Sequence, residues 1–83
     1  MAKVRLYSTQ YCPFCIKAKM LLENKRADFD VIDLSEDHAT RQKLMDQTGC
    51  QTVPMIFVGD EFIGGCNELY DLESKGLLDR MLQ

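Results

Sequence analysis

Two thiols separated by Pro13 and Phe14 are the residues best suited to chemistry. Cys12 and Cys15 form a C-x-x-C. Pro13 suits the first turn of a helix, where its missing N–H costs nothing. Cys12 then falls where a polar loop, Ser8 to Tyr11, meets a helix start. A helix N-terminus carries about half a positive charge and several free N–H donors, and both favour thiolate over thiol. A thiolate there is a good attacking group and a good leaving group. Cys15 follows by nearly one turn, so its sulfur can reach Cys12 while lying deeper in the helix. That asymmetry makes Cys12 the expected nucleophile and Cys15 the expected resolving thiol.

The elements that would hold the pair can be read from periodicity. Lys3 to Tyr7 alternates polar and apolar residues as a strand does. Phe14, Ala18, Leu21 and Leu22 recur at helical spacing, opposite Lys17, Lys19 and Glu23. Phe29 to Leu34 is rich in β-branched and aromatic residues and reads as a second strand. Ser35 is the expected N-cap of a helix over 36–48, with Gly49 as its C-cap. Met55 to Val58 and Glu61 to Ile63 read as a hairpin turning at Gly59-Asp60. A last helix is expected from near Asn67, interrupted at Gly76, with a final turn or two over Leu77 to Leu82. The order βαβ, helix, ββα predicts an α/β fold: a four-stranded mixed sheet with helices on both faces and a right-handed crossover between the parallel strands.

Composition narrows the classes. A chain of 83 residues is long enough for one small domain, 1–83, which buries only about 60% of its unfolded surface. Its 46% hydrophobic content is sufficient for that core and too high for a disordered segment. Ten basic and thirteen acidic residues are mixed along the chain, with no Lys/Arg run of the kind that binds nucleic acid or anionic membrane. The N-terminus alternates charge and is no signal-peptide core, so a cytoplasmic chain is expected. In that setting Cys50 and Cys66, both isolated, do not suggest a secreted disulfide framework. Structural zinc is the main competing interpretation of Cys12 and Cys15. It would want a second close pair, and Cys50 and Cys66 are too widely spaced, with His38 alone on a polar stretch. Of the two isolated thiols, Cys66 is the one expected to be reactive, because it sits at a helix start.

Two further segments are weak signals alone. In Thr52-Val53-Pro54, Pro54 opens an apolar strand, and the X-Pro bond could be cis or trans. A cis bond would leave the Val53 backbone free to pair with an extended peptide. In Gly64-Gly65-Cys66-Asn67, two glycines before a helix let a ligand approach the backbone, and the following amides can hold a carboxylate.

In this order and spacing the three motifs resemble the glutaredoxin family over essentially the whole chain. Tyr11-Cys12-Pro13-Phe14-Cys15 is similar to its C-P-[YF]-C motif. Thr52-Val53-Pro54 resembles its T-V-P loop with a cis-proline, and Gly64-Gly65-Cys66-Asn67-Glu68-Leu69 its G-G-x-D-D-L segment. Length and Ile56-Phe57-Val58 are most similar to the small bacterial dithiol members of the third type. The resemblance implies a thioredoxin fold and glutathione as cosubstrate, with no permanently bound cofactor and no metal. It implies that the Val53 backbone beside Pro54 pairs with the cysteinyl part of glutathione. The amides near Gly65, Cys66 and Asn67 would hold the γ-glutamyl carboxylate, Thr52 and Phe14 would line the groove, and Gln51 would reach the glycyl carboxylate. Partners are then glutathione and disulfide-containing or glutathionylated proteins, ribonucleotide reductase being one candidate, with the chain a monomer. Thr9 stands where the family often has lysine, and Asn67 where it often has Asp. Each change removes a charge-assisted contact, so glutathione affinity is expected below the family norm. Two rivals remain: an electron donor reduced by thioredoxin reductase, and an iron–sulfur carrier, which Pro13 and Cys15 disfavour.

Overall fold

The computed structural model describes residues 3–10 and 12–82. The order of elements is β1 (Val4–Ser8), α1 (Pro13–Asn24), β2 (Phe29–Asp33), α2 (His38–Thr48), β3 (Met55–Val58), β4 (Glu61–Gly64), α3 (Cys66–Ser74) and α4 (Leu78–Leu82). The four strands form one mixed sheet in the order β2-β1-β3-β4. β1 pairs parallel with β2, Leu6 opposite Val31, and antiparallel with β3, Leu6 opposite Ile56. β3 and β4 form the antiparallel hairpin, with a register irregularity between Ile56 and Phe57. This is the expected α/β architecture.

Alternation along the central strands explains why helices are needed on both faces. All four residues of β3 are buried. Ile56 and Val58 point to one side with Val4 and Leu6, where they meet Ala18 and Leu22 of α1, Leu69 of α3 and Leu78 and Leu82 of α4. Met55 and Phe57 point to the other side and meet Leu34 and Leu44, the one buried residue of α2. Lys25, just past α1, bonds Glu73 of α3 at 2.7 Å and Asp79 of α4 at 3.1 Å, tying the three helices of the first face together.

Several boundaries differ from the sequence expectation for identifiable reasons. α2 begins at His38, and its cap is Asp37, whose carboxylate accepts the Thr40 N–H at 3.1 Å. Hydrogen bonding from Thr40, by its side chain and then its amide, holds the Asp37 carboxyl below its ordinary value. Ser35 is not a cap: its hydroxyl donates to Asp33 Oδ1 and accepts the Gln10 N–H at 2.8 Å. It therefore pins the loop that precedes Cys12. Gly49 is the left-handed C-cap expected, at φ 73°. α3 starts one residue early, at Cys66. β1 and β2 run Val4–Ser8 and Phe29–Asp33, and β4 extends to Gly64. Phe14, which helical spacing places with the core residues of α1, is instead 54% exposed and lines the cavities beside the first turn. Tyr11, the end of the expected loop and part of the first motif, lies outside the described residues, as do residues 1, 2 and 83.

Candidate functional site

Cys12 is the N-cap of α1. Its backbone is extended, and its Sγ accepts the Cys15 N–H at 3.2 Å. An amide hydrogen aimed at sulfur stabilises negative charge there, in the same sense as the helix dipole. Cys12 Sγ also lies 3.8 Å from the Val53 carbonyl, the weak contact of a thiol donor with a backbone acceptor. Cys12 is half-buried, whereas Cys15, one turn on, is 1% exposed. Burial pushes the Cys15 thiol up to about 12, with a hydrogen bond to Cys12 acting in the same direction; a backbone hydrogen bond from Thr9 and the Lys19 charge pull the other way. The two sulfurs thus form an adjacent but unequal pair: one at the surface on a helix terminus, one held as a thiol beneath it.

Beside Cys12 a cavity of about 310 Å³ opens between two walls. One wall is Thr52, Val53 and Pro54, and the Val53–Pro54 bond is cis. The other is Phe14 with Gly65, Cys66, Asn67 and Glu68. So three segments separate in sequence converge where the motifs required. Gln51 is exposed and is not among the residues lining the cavity, so the structure does not bring it into the groove. Conversely, Glu68 lines the groove although its role is not evident from composition. Its Oε1 accepts the Gly65 N–H at 2.9 Å, closing the first turn of α3. An acidic residue three positions after the cap is the sequence signal for that bond. The turn admits nothing larger than glycine at 64: φ is 115°, and a Cβ would fall 2.6 Å from Glu68 Oε1. At 65 a Cβ would stand 3.2 Å from the Pro54 carbonyl, which shows how closely the two walls approach.

The two remaining thiols differ in exposure, with Cys66, the one expected to be reactive, the more buried. Cys66 is buried, 5% exposed, and burial pushes its thiol up. Cys50 is half-buried and donates to the Thr52 carbonyl at 3.3 Å. Among the described residues no group of three or more His, Cys, Asp and Glu is placed to hold a metal ion, and no helix is long and apolar enough to cross a membrane.

A four-stranded thioredoxin fold with a C-x-x-C pair at the start of its first helix defines a thiol–disulfide oxidoreductase. Comparison with known proteins makes the assignment narrower. The glutaredoxin family model matches residues 4–63. The chain is 48% identical over 82 residues to a probable glutaredoxin of Synechocystis, covering 98% of this chain and 75% of that one. It is 39% identical to glutaredoxin 3 of Escherichia coli over the full length of both. Among solved structures, a buckwheat glutaredoxin in complex with glutathione superposes with a TM-score of 0.93 at 31% identity, covering 98% of this chain and 76% of the other. The chain belongs to the glutaredoxin family.

Proposed function

We propose that the protein is a glutathione-dependent oxidoreductase that reduces protein disulfides and glutathione mixed disulfides, with Cys12 as nucleophile and Cys15 as resolving thiol. The observation that carries this is the position of Cys12 Sγ. It caps α1, accepts an amide hydrogen, and sits at the Val53 rim of a cavity in the size range of small-ligand sites. The neighbouring buckwheat glutaredoxin holds glutathione, which supports the same ligand here.

In the one-thiol route, Cys12 thiolate attacks the glutathione sulfur of a mixed disulfide. The protein thiolate leaves and takes up a proton, and Cys12 carries glutathione. A second glutathione thiolate attacks that disulfide, releasing oxidised glutathione and restoring Cys12. In the two-thiol route, Cys12 attacks a protein disulfide. Cys15 loses its proton, attacks the Cys12 sulfur and expels the second product thiolate. Two glutathiones then reduce the Cys12–Cys15 disulfide. Family potentials of about −200 to −230 mV lie near the glutathione poise, so both directions are accessible.

In this reading glutathione lies extended along Val53, its γ-glutamyl carboxylate on the amides at the start of α3 and its body against Phe14 and Thr52. Asn67 offers a neutral amide at the γ-glutamyl end, and Glu68 is engaged with Gly65, so its charge is a poor replacement for an Asp at 67. The site therefore binds glutathione less tightly than a relative with Asp at that position. A pair fed by glutathione belongs in a reducing compartment, here the cytoplasm.

The test is reduction of a glutathionylated small disulfide, coupled to glutathione reductase and NADPH. Activity requires glutathione and disappears in Cys12→Ser, while Cys15→Ser retains the one-thiol reaction. Equal loss in both variants overturns the division of roles. Direct reduction by thioredoxin reductase without glutathione activity overturns the cosubstrate.

A further inference from the structure

A second cavity, of about 230 Å³, lies in the seam between α1 and α3. Phe14, Cys66 and Asn67 belong both to it and to the groove beside Cys12, so a chain lying in the groove would run on into the seam. Lys17 and Tyr70 complete its lining. The Tyr70 hydroxyl donates to the Lys17 carbonyl at 3.2 Å, fixing the two helices against each other across the cavity.

Charge gives the seam its character. Among the described residues Lys17, like Lys19 and Lys43, has no carboxylate within ion-pair distance, and of these three it alone lines the seam. Of the acidic residues of α3, Asp71 is paired with Lys75 and Glu73 with Lys25, and the Glu68 carboxylate is held on the Gly65 N–H. The start of α3 adds the positive end of a nine-residue helix, and Asn67 adds an amide donor. Phe14 and Tyr70, the latter 41% exposed, offer apolar flanks to a methylene stem. The volume suits a side chain and not a second peptide.

We propose that this seam is a specificity subsite for an acidic side chain on the disulfide-bearing polypeptide, the side chain lying beyond the attacked cysteine in the direction of α3. The proposal rests on the thiol–disulfide reading and adds the class of polypeptide preferred. A carboxylate placed there meets Lys17 Nζ and the Asn67 amide, with Phe14 and Tyr70 covering its stem. Glutathione's own carboxylate is the other source of that chemistry. The groove accounts for it on the α3 amides, which leaves Lys17 to the longer partner.

The test uses single-turnover reduction of two peptide disulfides by the fully reduced protein without glutathione. The peptides are identical but for Glu or Gln two residues before the attacked cysteine. The wild-type protein should react about two- to fivefold faster with the Glu peptide, the size of one partly exposed ion pair. The difference should vanish at about 1 M salt, where screening reaches about 3 Å. Lys17→Gln should lose the preference and leave turnover of the glutathionylated small disulfide unchanged. Equal rates for both peptides in the wild type overturn the subsite and leave the oxidoreductase reading intact. So does a Lys17→Gln loss that falls equally on the glutathione mixed disulfide, which would assign Lys17 to glutathione itself. Failure of the folded protein to reduce either peptide overturns both.

Discussion

The two faces of the sheet are built to different depths. On one, α1, α3 and α4 close over Val4, Leu6, Ile56 and Val58, and an ion-paired Lys25 links them. On the other, α2 covers Met55 and Phe57 with one buried side chain, Leu44. The groove draws a wall from each. Cys12, Phe14 and Cys66 ride on helices of the thick layer; Thr52–Pro54 is the connection from α2 to β3. One side of the site is therefore anchored in the core, and the other depends on a thin cover. The thinly covered wall is the one expected to open more readily, since local opening concentrates where buried apolar contacts are few.

Truncation should show the difference most strongly. Leu69→Ala, at the fully buried centre of the thick layer, is expected to cost about 2–5 kcal/mol, a large fraction of the stability of so small a domain. Leu44→Ala should fall at or below the bottom of that range, because its site is at the margin of a smaller cluster and can collapse. Urea unfolding of both variants decides it, and equal costs would erase the contrast.

A smaller effect is expected from Gly64→Ala. Its backbone lies in the left-handed region, and its Cβ would displace the Glu68 carboxylate from the Gly65 amide. A cost of about 1–3 kcal/mol is expected, together with a raised KM for the glutathione mixed disulfide, since the α3 amides lose their alignment. Unchanged KM would show that the turn does not shape the groove.

Asp37→Ala removes the cap of α2 and should cost about 1 kcal/mol. Amide exchange should quicken over residues 38–53 while α1 and α3 keep their protection; uniform acceleration would mean that the faces unfold together. Acid reports the same bond. Folding holds the Asp37 carboxyl below its ordinary value of 3.8, so its contribution is complete above that value and is lost as pH falls through the lower folded value. Asp37→Ala should lack this acid loss.

The smallest change expected under ordinary conditions concerns Cys15 in the thick layer. Its thiol is raised in the fold, so the folded state holds the proton more tightly than the unfolded one. That stabilisation is complete below the ordinary thiol value of 9.0 and declines as pH rises from there towards about 12. Denaturation of the reduced protein followed from pH 8 to 11 should show the decline, and Cys15→Ser should show a smaller one, the remainder belonging to Cys66, whose thiol burial also pushes up.

Much of this was legible in the sequence because the decisive signals were local. Pro13 beside two spaced thiols marked a helix start, and the unbroken apolar run Met55 to Val58 marked a strand. What was not legible depended on distant partners. Ser35 and Asp37 are both good caps, and only the Gln10 amide, 25 residues away, decides that Ser35 is otherwise engaged. Phe14 has the spacing of a core residue, but spacing does not show that it lines an open groove. Cys66 stands at a helix start, as a reactive thiol should, yet the packing of α3 on α1 buries it. The Tyr70–Lys17 contact spans 53 residues and has no periodic signature.

β1 has neighbours on both sides, and they are not made at the same time. β2 follows it closely in the chain, but β3, residues 55–58, comes after both thiols and after all of α2. While the chain is being synthesised, the dithiol emerges well before the strand that completes the support of the element leading into it. Until then nothing fixes Cys12 against the Val53 carbonyl or buries Cys15. The nascent chain carries two ordinary cysteines, exposed to whatever oxidant is present. A fragment ending at residue 53 should accordingly be alkylated at Cys12 and Cys15 at equal rates, whereas the finished protein should react first at Cys12.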